Sequence, residues 1–339
     1  MRLPFWPALP RLGKTTRIDA VRFRFQDSRD LGYCSSQAGS SHFADTNMHR
    51  TGIAEPSVQP VSNRHVSSLE LMEITMKAVA KLRPENGAMS LIDLDRPVPK
   101  PGEALIKITA GGICGTDVAI WKWHESVVGQ YAPTFPLVVG HEFAGTVMSA
   151  SPACRAVMGD TVAVNPQIAC RQCEYCMLGR PTLCVDRRLM GGRIDGGWTE
   201  YVTVPEQNIY PLPKGVDSAV APLLEPLSVA THAVLERVQV RPGDVVVVIG
   251  AGPIGLLVAI LAKTAGASNV VITGIGADAG RLELARKLGA IPINVEESEP
   301  IGVVKALQWD GADIVYETSG NASVFDQAVG LSRRTGRIG

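Results

Sequence analysis

Neither sign of charge is in excess in this chain of 339 residues, where 33 Lys and Arg balance 33 Asp and Glu. That balance, with no basic stripe, argues against nucleic acid or an anionic membrane surface as a partner. A membrane-spanning run is also missing. A span needs about 18 or more consecutive apolar residues, and stretches such as Val245–Ile249 are only of strand length. A disulfide framework is the third absence. The seven cysteines are an odd number and four of them bunch together, which fits metal thiolates in a reducing, cytoplasmic setting. What remains is an ordinary globular composition, 45% apolar and 19% charged, in a chain long enough for two domains with cores of their own.

The stretch Gly111–Gly145 carries the densest chemistry. It places a thiol at Cys114, an imidazole at His141 and a carboxylate at Glu142, beside Thr116 and Asp117. Soft sulfur, borderline nitrogen and hard oxygen together suit zinc, and three protein ligands with a fourth position open make a catalytic site. Taken alone, a cysteine and a histidine beside an acid are more often core or surface positions. The rest of the chain supplies the support.

Cys170, Cys173, Cys176 and Cys184 form a C-x2-C-x2-C-x7-C array. Thiolates at this spacing can turn toward one tetrahedral ion, and the fourth closes the shell, as in a structural zinc site. A ferredoxin-type cluster is the rival, but there a proline follows the last cysteine, whereas here Pro181 precedes Cys184. The spacing predicts a zinc-folded lobe over residues 170–184. Cys34 and Cys154 have no partner spacing.

Val245–Ile249 is an all-apolar strand that runs into Gly250-Ala251-Gly252-Pro253-Ile254-Gly255 and then a helical pattern. That is the context the dinucleotide fingerprint requires. The first glycine allows a tight turn, the second lets backbone approach a pyrophosphate at a helix N-terminus, and the third lets helix pack on strand. The next strand, Asn269–Thr273, should end in an acid for the ribose of NAD, but Gly274 stands there. The missing carboxylate and nearby Arg281 fit the 2′-phosphate of NADP, while Asp278 serves a ribose if the loop curls back. Both cofactors stay open.

Strand patterns appear in MKAVAKL from Met76, ALIKITAGGIC, LVVGHEFAGTVM and DTVAVN, and again after Gly191. A helical pattern starts near Leu227, and RLELARKLGA, IPINV, ADIVYETSG and a strand opening at Gly336 continue the alternation of a parallel sheet. Residues 1–75 lack sustained periodicity, and the first 66 carry nine Lys or Arg against five Asp or Glu. They read as a disordered leader or as translated sequence ahead of a start at Met72 or Met76, in preference to a transit peptide.

The motifs ICGTD at Ile113–Asp117 and GHE at Gly140–Glu142, the cysteine array and the glycine turn stand in an order that resembles zinc-dependent medium-chain dehydrogenases, especially the threonine and polyol (sorbitol) dehydrogenase branch. The resemblance covers residues 76–339. It implies an α/β chain, with a GroES-like β-barrel catalytic domain over 76–225 and a doubly wound parallel-sheet (Rossmann) nucleotide domain over 226–339. It further implies catalytic and structural zinc, NAD or NADP, and a homo-oligomer for a complete chain.

The implied activity is reversible oxidation of a secondary alcohol, of the polyol or amino-alcohol type, to a ketone. By the same resemblance Thr116 relays the hydroxyl proton, Glu225 counts with Cys114, His141 and Glu142 among the metal residues, with either Glu142 or Glu225 partly displaced by water, and Arg281 falls on a cofactor-contacting arginine. On spacing alone Glu225 is as readily an acid at a helix start before Pro226. The branch's histidine five residues after the ligand cysteine is replaced here by Ala119, which argues against a threonine dehydrogenase proper. His124 reads as an exposed loop residue. In this family the nucleotide domain continues past the place where Gly339 stands, so the alternative reading is an inactive, truncated homologue that binds zinc without turnover.

Overall fold

The computed structural model describes residues 75–339. The leader reading for the N-terminal segment, and Cys34, lie outside these residues.

The first half is antiparallel. Its strands are β1 Thr75–Lys81, β2 Met89–Asp95, β3 Glu103–Gly111, β4 Leu137–Val138, β5 Phe143–Ser149, β6 Thr161–Val164, β7 Gln167–Ile168, β8 Arg188–Leu189, β9 Tyr201–Pro205 and β10 Ile209–Pro211. One sheet runs β10-β6-β5-β3-β9 and a second runs β2-β1-β4. The segment before β9 stitches them together, with Val79 N–H donating to Trp198 O at 2.8 Å and Trp198 N–H to Val139 O at 2.9 Å. Ala104, Ile106, Phe143, Val147, Val162 and Val204 pack into one core between the strands, the inward half of a period-2 pattern. This is the GroES-like barrel.

The second half is a parallel sheet. Strands β11 Val245–Ile249, β12 Asn269–Gly274, β13 Ile291–Asn294, β14 Ala312–Glu317 and β15 Ser332–Ile338 lie in the order β13-β12-β11-β14-β15. The uniformly apolar β11 is buried along its whole length, as a parallel strand covered on both faces requires. Val246 and Val248 face the core shared with Val258, Ala259 and Ala262. Val245, Val247 and Ile249 face the opposite core with Val304 and Ala328. The doubly wound domain is thus present as expected.

Two expected strands are interrupted. ALIKITAGGIC stops as a strand at Gly111, and helix α1 Gly115–Lys122 follows, then helix α2 Glu125–Tyr131; a short helix α3, Glu174–Met177, lies further on among the clustered cysteines. LVVGHEFAGTVM is split into β4 and β5, because Gly140 adopts φ +89° and a left-handed residue cannot continue a strand. The helix expected from Leu227 starts earlier, at Leu224, after a 3₁₀ turn at Ala221–Leu223. Among the described residues no helix is long and apolar enough to cross a membrane.

Candidate active site and metal centres

Both interruptions carry candidate ligands. Cys114 caps α1, and its N–H donates to Asp117 Oδ2 at 2.8 Å, so a carboxylate in the first helical turn holds the capping residue in place. His141 and Glu142 lie in the break between β4 and β5. The break is held by packing on bare backbone. The Trp198 ring covers Gly140, and its Nε1–H donates to Gly112 O at 3.0 Å.

The Cys114 sulfur, a His141 ring nitrogen and a Glu142 carboxylate oxygen all lie within 4.8 Å of one another. His141 and Glu142 are only 4% and 9% exposed. His141 Nδ1 stands 3.4 Å from Asp117 Oδ1, yet neither buried atom completes a hydrogen bond. Unpaired buried polar atoms are costly. Together with the sulfur, nitrogen and oxygen donors, they fit a pocket built around a cation such as zinc.

Electrostatics point the same way. Burial opposes a charge on His141, but Asp117 and Cys114 outweigh it and raise its pKa to about 10. A metal would take the place of that proton, since ligation needs neutral imidazole. Burial raises Glu142, with Asp117 adding to the shift and His141 opposing it. Glu225 sits in the first turn of helix α4, Leu224–Thr231. Burial raises its pKa too, His141 lowers it, and Glu142 and Asp117 raise it. It therefore shares the field of the centre while standing outside the three-residue ligand group.

The four lobe sulfurs, Cys170, Cys173, Cys176 and Cys184, also lie within 4.8 Å of one another. These are the two such groups among the described residues. The lobe's backbone turns toward sulfur. Cys170 N–H donates to Cys184 Sγ at 3.2 Å, and Cys173 N–H to Cys170 Sγ at 3.4 Å. Backbone N–H groups of Val185 and Cys176 hold Cys173 down to about 6. The Cys170 N–H likewise lowers Cys184, while burial and Cys173 push Cys176 up to about 12, so the packed sulfurs share protons unevenly unless a cation joins them.

In the nucleotide domain the glycines divide their roles as the fingerprint requires. Gly250 has φ +105°, and a Cβ there would lie 2.9 Å from Ser319 N. A Cβ on Gly255 would collide with the Gly250 carbonyl, whereas Gly252 faces open space. Open space at the second glycine is what a pyrophosphate needs. Pro253 and Ile254 begin helix α5, Pro253–Thr264. Arg281 lies in helix α6, Ala279–Lys287, with its Nη1 2.8 Å from Asp278 Oδ1. These residues fit a dinucleotide.

Some neighbours have no signal in the sequence. Tyr131 closes α2. Burial raises its phenol above the ordinary range, Cys114 and Glu225 add to this, and a hydrogen bond with Thr116 opposes it. Lys81 is fully buried, and its Nζ donates to the carbonyls of Trp121 at 2.9 Å and Gly87 at 3.5 Å, and to that of Glu85. It anchors the far end of the helix that Cys114 caps. His124 is exposed and caps α2, accepting from Ser126 N–H at 3.3 Å.

Known proteins match both halves. Residues 100–214 match the alcohol dehydrogenase GroES-like domain, and residues 253–339 match the zinc-binding dehydrogenase family. L-threonine 3-dehydrogenase of Bacillus subtilis (strain 168) is 37% identical over 268 residues, covering 78% of this chain and 75% of that protein. A zinc-binding dehydrogenase from Sinorhizobium meliloti 1021, solved bound to NADP, has a TM-score of 0.70 and 32% identity over 78% of this chain and 75% of its own. An alcohol dehydrogenase from E. coli CFT073, solved with NADH, has a TM-score of 0.68 and 30% identity over 78% of this chain and 75% of its own. With two halves matched in order, and the motifs of both at their expected places, the chain belongs to the zinc-dependent medium-chain dehydrogenases, in the threonine and polyol dehydrogenase branch.

Proposed function

We propose that the chain interconverts a secondary alcohol, of the polyol or amino-alcohol type, and a ketone by hydride transfer to NAD or NADP. The observation that carries this reading is the buried group of Cys114, His141 and Glu142, in one chain with the glycine turn Gly250–Gly255. Zinc held by those three residues would supply a Lewis acid for the substrate oxygen, and the nicotinamide would supply the hydride acceptor.

The remaining work falls to side chains. Asp117 fixes the Cys114 backbone through the 2.8 Å bond to its N–H and faces His141 Nδ1, orienting two ligands at once. Thr116 Oγ1, half-buried two residues after Cys114, accepts the alcohol's proton and gives its own hydroxyl proton up toward solvent, with the Tyr131 phenol beside it. Glu225 stands in the same field as His141, Glu142 and Asp117, beside the centre. The cysteine lobe takes a second, structural zinc through its four sulfurs.

The relatives named L-threonine 3-dehydrogenase make amino alcohols the first substrates to test, although Ala119 stands where that activity's histidine is expected. A cytoplasmic homo-oligomer completes the reading, supported by free thiols that suit a reducing compartment. Turnover on a panel of polyols and amino alcohols tests it, with Cys114→Ser as the comparison. Loss of oxidation in the variant, with the lobe's zinc retained, is expected. Unchanged turnover would refute the assignment of Cys114.

A further inference from the structure

We propose that this chain selects NAD over NADP, with Asp278 standing in for the acid missing at the end of β12 and Glu296 reinforcing it from the neighbouring strand end. The inference rests on reading Gly250–Gly255 as a dinucleotide seat.

The end of β12 is crowded against a side chain of its own. A Cβ on Gly274 would lie 3.2 Å from Asp278 Cβ and 3.3 Å from Ala251 Cβ, inside the glycine turn. The chain then folds back through a 3₁₀ turn at Gly276–Asp278. Asp278 thereby fills the space that a strand-end side chain would enter, next to the turn that seats the cofactor. Its Oδ2 accepts from Ile275 N–H at 3.3 Å and its Oδ1 from Arg281 Nη1 at 2.8 Å. The Asp278 side chain keeps 20% of its surface exposed, so a ribose hydroxyl can still reach it.

Glu296 comes from the segment after β13. Its Oε2 accepts from Gly276 N–H at 2.8 Å. Arg281 Nη1 and the Gly276 amide are therefore each matched to a carboxylate already. A 2′-phosphate would meet Asp278 and Glu296 as like charges and find its cation engaged, whereas a 2′-hydroxyl can donate to a carboxylate. The glycine at 274, taken alone, argues for NADP. The fold reverses that argument by returning an acid to the same place. The solved relatives leave the matter open, since one holds NADP and another NADH.

Isothermal titration of the full chain with NAD and with NADP tests this without relying on turnover. The unaltered chain is expected to bind NAD about tenfold or more tightly than NADP. Asp278→Asn and Glu296→Gln, singly and together, are expected to raise NADP affinity, the double variant by about tenfold. Equal or tighter binding of NADP by the unaltered chain would overturn the inference, and so would a double variant, folded by circular dichroism, whose NAD to NADP ratio is unchanged. Binding of neither cofactor by the unaltered chain would overturn the dinucleotide reading and this inference with it.

Discussion

Gly112 and Glu142 share one small volume. The Glu142 carboxylate fills the place where a side chain on Gly112 would begin, and Gly112 N–H donates to Glu142 O at 2.7 Å. One glycine thus sets both the backbone and the side chain of a candidate ligand. Gly112→Ala is expected to push the carboxylate out, release zinc from the Cys114–His141–Glu142 centre and spare the cysteine lobe. Turnover should fall by about 10–100-fold, as for other changes that misplace metal ligands. Metal analysis beside steady-state kinetics checks this, and full zinc occupancy would count against it.

Lys81 holds the opposite end of the same helix. Replacing it with Met removes the ammonium from the carbonyls of Gly87 and Glu85 and leaves Trp121 O with Gly87 N–H alone. Hydrogen bonds to a charged group contribute about 1.5–3 kcal/mol, and a loss of about that size is expected in urea unfolding. A Lys81→Met chain as stable as the original would show that water replaces the ammonium.

The lobe's four sulfurs should behave as a folding unit of their own. Cys176→Ser is expected to release one zinc and lower the melting temperature, because structural zinc contributes folding free energy directly. The Cys114 centre should keep its metal. Zinc counting after gel filtration reads both effects, and retention of the lobe's zinc would contradict the four-sulfur assignment.

How far the sequence reveals this site depends on the range of each interaction. The glycine turn is legible because an apolar strand, three spaced glycines and a helix are all local, and β11 and α5 fall where the pattern places them. The cysteine array is legible for the same reason. The barrel is harder to read, since the left-handed Gly140 splits one apolar run into β4 and β5, and β3 ends before Cys114. Cys114, His141 and Glu142 can be picked out by residue type, but their supports cannot. Trp198 and Gly112 are 86 residues apart, and Lys81 and Trp121 are 40 apart. No periodicity links such pairs. Asp278 lies between the two cases, since its part depends on whether a short loop turns back.

Tyr316 gives the nucleotide domain a stability that depends on alkaline pH. Burial raises its phenol from 10.0 to about 12, Arg337 opposing and Asp244 adding to the shift, and its hydroxyl donates to Val238 O. A raised value means that the folded state favours the protonated, neutral phenol. The contribution is therefore complete below pH 10 and is lost as pH rises through 10 toward about 12. Denaturation midpoints across that window should fall more steeply for the unaltered chain than for Tyr316→Phe. Parallel slopes would show that this phenol is not the group responsible.

The central claim is a catalytic zinc at Cys114, His141 and Glu142, beside a structural one in the cysteine lobe. Native mass spectrometry of the purified chain, with NAD-linked alcohol oxidation followed on the same sample, tests it most directly. Two zinc ions per chain are expected, one for each ligand group, with oxidation disappearing as the first is removed by chelator and returning when zinc is restored. A chain that carries zinc only in the lobe and still oxidises alcohols at the full rate would contradict the account.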